Sequence, residues 1–301
     1  MKKTVKLKGD YSAYIFIAPA MVIVIAFLFY PMVWTLAAGF QEVRPIRMRT
    51  AGFFDPLGSW AGLGNYRAVL EDGMVRLSLL NTLRFAVLFV PATLFASVVL
   101  AVLFDRKGRG INLARSVFFL PYVISVVSAS LIFMSLFDAR RGFVNIILAR
   151  LGVMGPNWLS STALAMPVVA FMSLWRRVGY FMLIYLAGLQ NIPKDLYEAG
   201  SLDGLGPLGA FRYITWPLLR KISAVVFILL LINCLNVFQE IYVMTGGGPG
   251  NTTVTVSFLI YNMAFEYSRI GQAAAVSWLL FLVIIGITLI QGRVNSRGTD
   301  W

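Results

Sequence analysis

Six long apolar runs dominate this sequence of 301 residues and restrict the folds that it can adopt. An α-helix crosses a bilayer core about 30 Å thick with ~20 apolar residues, and it satisfies its own backbone polar groups. We therefore predict an all-α integral membrane protein. Its six transmembrane helices are expected over Tyr14 to Phe40, Leu79 to Phe104, Val117 to Phe137, Ala163 to Ala187, Ile222 to Met244 and Ala273 to Gln291.

The basic residues predict how these helices are oriented. Cytoplasmic loops of membrane proteins carry an excess of Lys and Arg, and a cytoplasmic N-terminus places every lysine of this chain on that side. We predict that both termini are cytoplasmic. The formal net charge of +13 is spread among apolar runs and forms no basic stripe, so we expect no nucleic-acid partner.

The apolar runs also predict the domain organisation. Residues 1–77 comprise a cytoplasmic N-terminus, the first transmembrane helix and an external loop, residues 78–292 form the main transmembrane domain, and residues 293–301 form a cytoplasmic tail. The basic start MKKTVKLKGD resembles that of a signal peptide. The apolar core that follows is too long for one, so we expect a retained helix.

Residue types that catalysis and metal binding require are scarce. The sequence has no His and a single Cys, Cys234, which lies in an apolar run. This composition removes imidazole catalysis and sites built on His or several Cys ligands. The spans also contain few acids and no paired carboxylates, so we expect no metal, no catalytic residue and no enzymatic activity.

A long loop, 188–221, separates the fourth and fifth spans on the predicted cytoplasmic side. Pro193 suits the first turn of a short helix, and Asp203-Gly204 suits its end. Gly206-Pro207 and Trp216-Pro217 then predict a second short helix and the start of the next span. On the first helix the small side chains admit another surface, while the carboxylate of Glu198 is free to meet a cation.

The stretch EAGSLDGLGPLGAFRYITWP in this loop resembles the EAA loop of binding-protein-dependent ABC transporter permeases, whose pattern is E-A-A-x3-G-x9-I-x-L-P. The spacing fits at every step, although Gly200 replaces Ala and Trp216 replaces Leu. The resemblance implies a helix that docks into a cleft of an ATPase subunit. It assigns this coupling to Glu198, Ala199, Gly200, Asp203, Gly204, Ile214 and Pro217.

Further stretches resemble the carbohydrate branch of that family, and in particular the larger maltose-type, lactose-type or glycerol-phosphate-type permease subunit. They are RSVFFLPYVIS, LAGLQNIPKDLYEAG and YVMTGGGPGNTT. The resemblance implies the type I ABC importer permease fold in a prokaryotic cytoplasmic (inner) membrane. It also implies a sugar-type substrate.

The resemblance further implies a set of partners. These are a second permease subunit in a heterodimer, two copies of a cytoplasmic ATPase subunit and an extracytoplasmic solute-binding protein. Because the sequence contains no G-x-x-x-x-G-K-[ST] phosphate loop, we expect ATP and Mg on the ATPase subunits and no cofactor in this chain. The glycine-rich TGGGPGN is expected outside the cell, as a turn that contacts the binding protein.

Polar side chains inside the spans are the candidates for a substrate path, since burying them in hydrocarbon is costly. In the fifth span Asn233, Asn236 and Glu240 follow at i, i+3 and i+7, with Gln239 beside them. An amide-rich helical face suits sugar hydroxyls, which need donors and acceptors. Hydrogen bonding between helices is the other interpretation of this face.

Trp175, Arg176 and Arg177 lie near the middle of the fourth span. The two arginines are too deep to snorkel on an isolated helix, so they require a carboxylate, carbonyl groups or water. An ion pair with Glu240, a partner subunit and an anionic sugar all fit. Adjacent residues on a helix point about 100° apart, so one ion pair does not satisfy both arginines.

A six-helix secondary transporter or channel without ATPase partners is the alternative function. Buried arginine and glutamate do not exclude it. Co-purification with an ATPase and transport that depends on ATP distinguish the two classes.

Overall fold

The computed structural model describes residues 12–43, 58–106 and 108–296. Its helices are α1 (Ser12–Val24), α2 (Tyr30–Gly39), α3 (Gly64–Glu71), α4 (Gly73–Phe104), α5 (Ile111–Val123), α6 (Val126–Leu136), α7 (Phe143–Arg150), α8 (Ala165–Gln190), α9 (Lys194–Leu202), α10 (Pro207–Ala210), α11 (Trp216–Leu235), α12 (Gln239–Met244), α13 (Val256–Tyr261) and α14 (Ile270–Ser296). Short π-helical turns occupy Ile25–Phe29, Phe211–Thr215 and Asn262–Glu266. Strands β1 (Gln41–Val43) and β2 (Gly58–Trp60) form one antiparallel pair.

Within these ranges five helical stretches are long and apolar enough to cross a bilayer, and the bent pair α5 and α6 makes a sixth when it is counted as one span. The prediction of an all-α membrane protein is confirmed, with five to six candidate spans. The five stretches are Phe16–Gly39, Gly73–Phe104, Ala165–Gln190, Pro207–Leu235 and Ile270–Gly292.

The third predicted span, Val117 to Phe137, is not a continuous helix. α5 and α6 meet at a bend of 99°, because Ile124 and Ser125 have extended backbone with ψ of 138° and 136°. Pro121 lies in the last turns of α5. It removes a backbone donor there and weakens the helix just before the break. Apolar residues continue on both sides, so hydropathy alone does not reveal the bend.

The fifth predicted span, Ile222 to Met244, is wrong at both ends. The helix begins at Pro207, passes through the π-helical turn and ends at Leu235. The predicted second short helix and the span are thus one helical stretch. The π-helical turn accommodates Pro217, which has no backbone N–H to donate.

The break after α11 is held by hydrogen bonds from the segment that precedes and begins α13. Thr255 Oγ1 donates to the carbonyl of Val237 at 2.9 Å, and Ser257 Oγ donates to that of Leu235 at 2.7 Å. Backbone groups buried in a membrane protein need such partners, because hydrocarbon supplies none. The side-chain hydroxyls therefore stabilise the interruption between α11 and α12.

The chain divides into two compact units, residues 1–71 with 263–278 and residues 72–262 with 279–301. In the first unit Phe40 stacks on Trp60 of β2, with ring centroids 5.6 Å apart. Asn65 Nδ2 donates to the carbonyls of Gly39 at 3.0 Å and Gln41 at 2.9 Å. These bonds tie α3 to the end of α2 and to β1.

In the second unit a glycine on α8 allows the close approach of α5. A Cβ atom at Gly179 would collide with the backbone of Phe118 and Phe119. Small residues at helix contacts let backbones approach in membrane proteins. At its other end α5 is held to α4, because Arg115 Nη2 donates to the carbonyl of Phe104 at the C-terminus of α4 at 2.6 Å.

We predict that Gly179→Ala lowers the stability of the fold by about 1–3 kcal/mol, because the new methyl group overpacks a rigid backbone contact. Thermal unfolding of the purified chain in detergent measures this change. Gly286→Ala on α14 is the matched control, since a Cβ atom there meets nothing within 4 Å. Equal melting temperatures for the two variants would contradict the close contact.

Candidate functional site

A buried ion pair lies at the centre of the second unit. Arg177 Nη2 on α8 is 2.8 Å from Glu240 Oε1 on α12, and their side chains are 10% and 3% exposed. Arg177 Nε also donates to Asn233 Oδ1 on α11 at 3.3 Å. The guanidinium further lies 5.7 Å from the ring centroid of Phe89 on α4. Side chains from three other helices, α4, α11 and α12, thus contact this one arginine.

The sequence left open whether the two arginines meet Glu240, a partner subunit or an anionic sugar. For Arg177 the structure shows the ion pair with Glu240. The predicted helical face of Asn233, Asn236 and Glu240 is wrong, however, because α11 ends at Leu235 and Glu240 belongs to α12. Asn233 and Glu240 meet through Arg177 rather than through helical spacing. Asn236 and Gln239 are both exposed.

Arg176 lies in a different environment. Its Nη1 donates to the carbonyl of Tyr122 at 3.3 Å, and the guanidinium carbon lies 5.8 Å from the centroid of the Tyr122 ring. The last carbonyls of a helix lack partners within it, and Tyr122 is in the last turn of α5, so the break after Val123 exposes this acceptor. Tyr122 stacks on Tyr180 with centroids 4.6 Å apart and 14° between the planes.

Sequence reasoning missed Tyr122 and Tyr180. Neither tyrosine stands out in an apolar run that contains many aromatic residues. The available signal was the spacing of Arg176 and Tyr180, which are four residues apart and therefore share a face of α8. Tyr122 lies in the last turn of α5, and the break between α5 and α6 brings it to that face.

Trp175 faces away from both arginine environments. Its ring packs on Phe133 of α6 with centroids 5.3 Å apart. It also lines an apolar groove of about 470 Å³ together with Phe95, Pro121 and Phe171. Neither Arg176 nor Arg177 lines that groove. The predicted trio of residues 175–177 is thus distributed over three surroundings.

The loop 188–221 has the short helix predicted at its start. α9 begins after Pro193 and ends in a Schellman motif, in which Leu205 N donates to the carbonyl of Gly200 at 2.9 Å and Gly204 N to that of Ser201 at 3.1 Å. Gly204 has a φ of 80°, a conformation that other residues adopt at a cost. The predicted stop at Asp203-Gly204 is confirmed.

One face of α9 packs on the rest of the chain and the other is exposed. Tyr197 Oη lies 2.9 Å from Thr215 Oγ1, and Gly200 is buried where an added Cβ would lie 2.8 Å from Ile214 Cδ1. Glycine at position 200 therefore fits beneath the isoleucine of the motif. Glu198 and Ala199 are exposed, as is Leu202, whose exposed fraction is 89%.

The glycine-rich segment 245–253 forms a structured turn. Gly246, Gly247 and Gly250 have φ between 55° and 85°. Asn81 Nδ2 of α4 donates to the carbonyls of Asn251 at 2.8 Å and Val254 at 3.0 Å. The turn is therefore anchored to the beginning of a membrane-spanning helix.

We predict that Glu240→Ala destabilises the fold by about 3–5 kcal/mol, because Arg177 is left buried without its counter-charge. The double variant Arg177→Met with Glu240→Leu is expected to lose less than either single variant. Thermal unfolding and the yield of monodisperse protein in detergent measure both. Glu71→Ala, at an exposed carboxylate, controls for loss of a negative charge. Additive losses in the double variant would contradict a coupled pair.

Comparison with known proteins places these features in a wider context. The model of the family described as binding-protein-dependent transport system inner membrane component matches residues 93–298. The chain is 31% identical over 291 residues to a probable ABC transporter permease protein, YurN of Bacillus subtilis, covering 95% of this chain and 97% of the relative. It is 31% identical over 296 residues to the lactose transport system permease protein LacF of Rhizobium radiobacter, covering 96% of each. Its fold resembles that of a bacterial ABC transporter involved in the import of the acidic polysaccharide alginate, with a TM-score of 0.83, 22% identity and 97% coverage of both chains.

Proposed function

Since this chain belongs to the family of binding-protein-dependent transport system inner membrane components, we propose that, as the permease subunit of an ABC importer, it passes a sugar, oligosaccharide or sugar derivative into the cytoplasm. An extracytoplasmic solute-binding protein delivers the substrate. The observation that carries the proposal is the family match, which includes loop 188–221 and the spans around Arg176 and Arg177. The similarity to a lactose permease over almost the whole length supports a sugar as substrate.

In the proposed assembly this chain pairs with a second permease subunit, and two copies of an ATPase subunit bind ATP and Mg on the cytoplasmic side. The loop 188–221 then faces the cytoplasm and the turn 245–253 faces the binding protein. Arg176 is partly exposed in the middle of the spanning helix α8. A charge at this depth needs a polar surface opposite it, which supports pairing with a second subunit.

The coupling contact is assigned to the exposed face of α9. Leu196, Leu202 and Leu208 are exposed by 43%, 89% and 81%. These apolar side chains are exposed on the same segment of the loop as the carboxylate of Glu198, so the segment offers both apolar area and charge to a partner. An ATPase cleft with a basic residue is complementary to it. The Schellman motif and the bond from Tyr197 to Thr215 hold the face in position.

The substrate path is assigned to the side of the second unit that carries Arg176, Tyr122 and Tyr180. Asn236 and Gln239 are the candidate amides of the path, because both are exposed near the break between α11 and α12. Arg177 pairs with Glu240 and donates to Asn233, although its Nη1 is buried without a partner. Their proposed role is to hold the helices that line the path.

We predict that Glu198→Lys uncouples ATP hydrolysis from transport while the permease still folds, because reversing this charge places it against a basic ATPase surface. Uptake into proteoliposomes that contain the whole complex, and ATPase stimulation by the loaded binding protein, are expected to fall at least about tenfold, the size of a 1.4 kcal/mol loss.

Asp195→Lys is the matched control, since Asp195 is an exposed carboxylate in the first turn of the same helix. It is expected to keep most of the activity. Normal uptake by Glu198→Lys would refute the coupling assignment. Uptake that proceeds without ATP would favour a secondary transporter instead.

We also predict that Asn236→Leu and Gln239→Leu impair transport after docking of the binding protein. Each lost hydrogen bond of about 0.5–1.5 kcal/mol lowers the transport affinity by roughly threefold to tenfold. ATPase stimulation by the loaded binding protein is expected to survive in both variants. If both keep the substrate dependence of the native complex, these amides lie outside the path.

A further inference from the structure

We propose that Arg176 selects sugars that carry an acidic group, either the carboxylate of a uronic acid or a phosphate ester. The inference rests on the proposed function and adds the charge class of the substrate. It starts from the difference between two neighbouring arginines, of which Arg177 forms a direct ion pair with Glu240 and Arg176 does not.

Within the described part of the chain Arg176 forms no ion pair, although Glu240, which pairs with Arg177, acts on its charge from a longer distance. Its one hydrogen bond goes to the carbonyl of Tyr122, and its Nε is buried without a partner. A guanidinium has five N–H donors, so most of them are unused. The Nε donor is buried, but the side chain as a whole is partly exposed, so the remaining guanidinium donors lie toward the surface of this chain.

The depth of Arg176 excludes lipid as its surroundings. It lies 11 residues after the start and 14 residues before the end of α8, Ala165–Gln190. At 1.5 Å per residue these distances are about 17 Å and 21 Å. A partly exposed guanidinium at that depth must face water, a ligand or a polar protein surface. In a permease that places it on the path between two halves.

The surroundings of Arg176 suit a sugar with an anionic group. Tyr122 and Tyr180 are stacked with centroids 4.6 Å apart, and the apolar face of a pyranose ring packs on aromatic rings. The planar guanidinium over Tyr122 has N–H pairs in the geometry that holds a carboxylate or phosphate through two bonds. A neutral sugar uses the tyrosines but leaves the charge of Arg176 without an anion.

The test uses the whole complex in proteoliposomes, supplied with its binding protein and three kinds of probe at equal concentration. The probes are neutral disaccharides, disaccharides that contain glucuronate, and phosphorylated disaccharides. Mass spectrometry measures ATP-dependent accumulation of each. Because every variant is assayed with the same binding protein, the preference of that protein cancels when variants are compared.

The native complex is expected to accumulate at least one acidic probe, and the glucuronate and phosphate arms show which anion is accepted. Arg176→Gln is expected to lower the ratio of acidic to neutral uptake by about tenfold, as for one charge-assisted pair. Arg176→Lys keeps the charge but loses the planar pair of N–H donors. Its ratio of acidic to neutral uptake is expected to lie between those of the native complex and Arg176→Gln. Arg150→Gln, which removes an exposed arginine from the last turn of α7 and outside the candidate spans, is expected to leave the ratio unchanged.

Four results would overturn the inference. An unchanged ratio in Arg176→Gln and Arg176→Lys removes the selective role, and loss of assembled complex in Arg176→Gln assigns the arginine to a contact with the second subunit. Uptake of neutral probes alone also overturns it but leaves the proposed function intact. An assembled complex that accumulates no sugar with ATP contradicts the proposed function and this inference together.

Discussion

The need to satisfy backbone polar groups at two helix breaks shapes the membrane unit. Hydrocarbon offers no hydrogen bonds, so each interruption of a spanning helix requires partners from the protein. At the break after α11 the partners are the hydroxyls of Thr255 and Ser257. At the break after α5 the guanidinium of Arg176 binds the carbonyl of Tyr122. The break after α5 differs from the other, because its partner is a charged side chain that has further N–H donors.

The two adjacent arginines show how one helix serves structure and chemistry at once. Arg177 points to α11 and α12, where Asn233 and Glu240 meet it and bury its charge. Arg176 points about 100° away and keeps its charge at a partly exposed surface. A buried ion pair contributes little net stability relative to apolar packing, yet breaking it is costly. Its effect here is to fix how α8, α11 and α12 meet, which positions Arg176 beside α5.

Much of this architecture follows from the sequence, since a run of about 20 apolar residues has few alternatives to a membrane helix. The short helix α9 could also be predicted from the sequence, because Asp203-Gly204 is a strong local stop signal for a helix. The helix breaks at Ile124 and Asn236 could not be predicted from the sequence. Apolar residues continue through both, and the hydrogen bonds that permit them come from Arg176, Thr255 and Ser257, which are distant in sequence. The tyrosine pair depended on the first break and was missed with it.

The connection between α8 and α9 links the arginines to the exposed loop. Only residues 191–193 separate the two helices, and they form a hydrogen-bonded turn in which Asn191 N donates to the carbonyl of Gly188 at 3.2 Å and Ile192 N to that of Leu189 at 3.1 Å. This turn leaves only three residues between the end of α8 and the start of α9. Gly188 also lies against Ile222 of α11 so closely that a Cβ atom there would collide with it. The exposed loop is therefore joined through one short turn to α8, which continues to Arg176 about 21 Å from its end at 1.5 Å per residue, and α11 packs on the same end of α8.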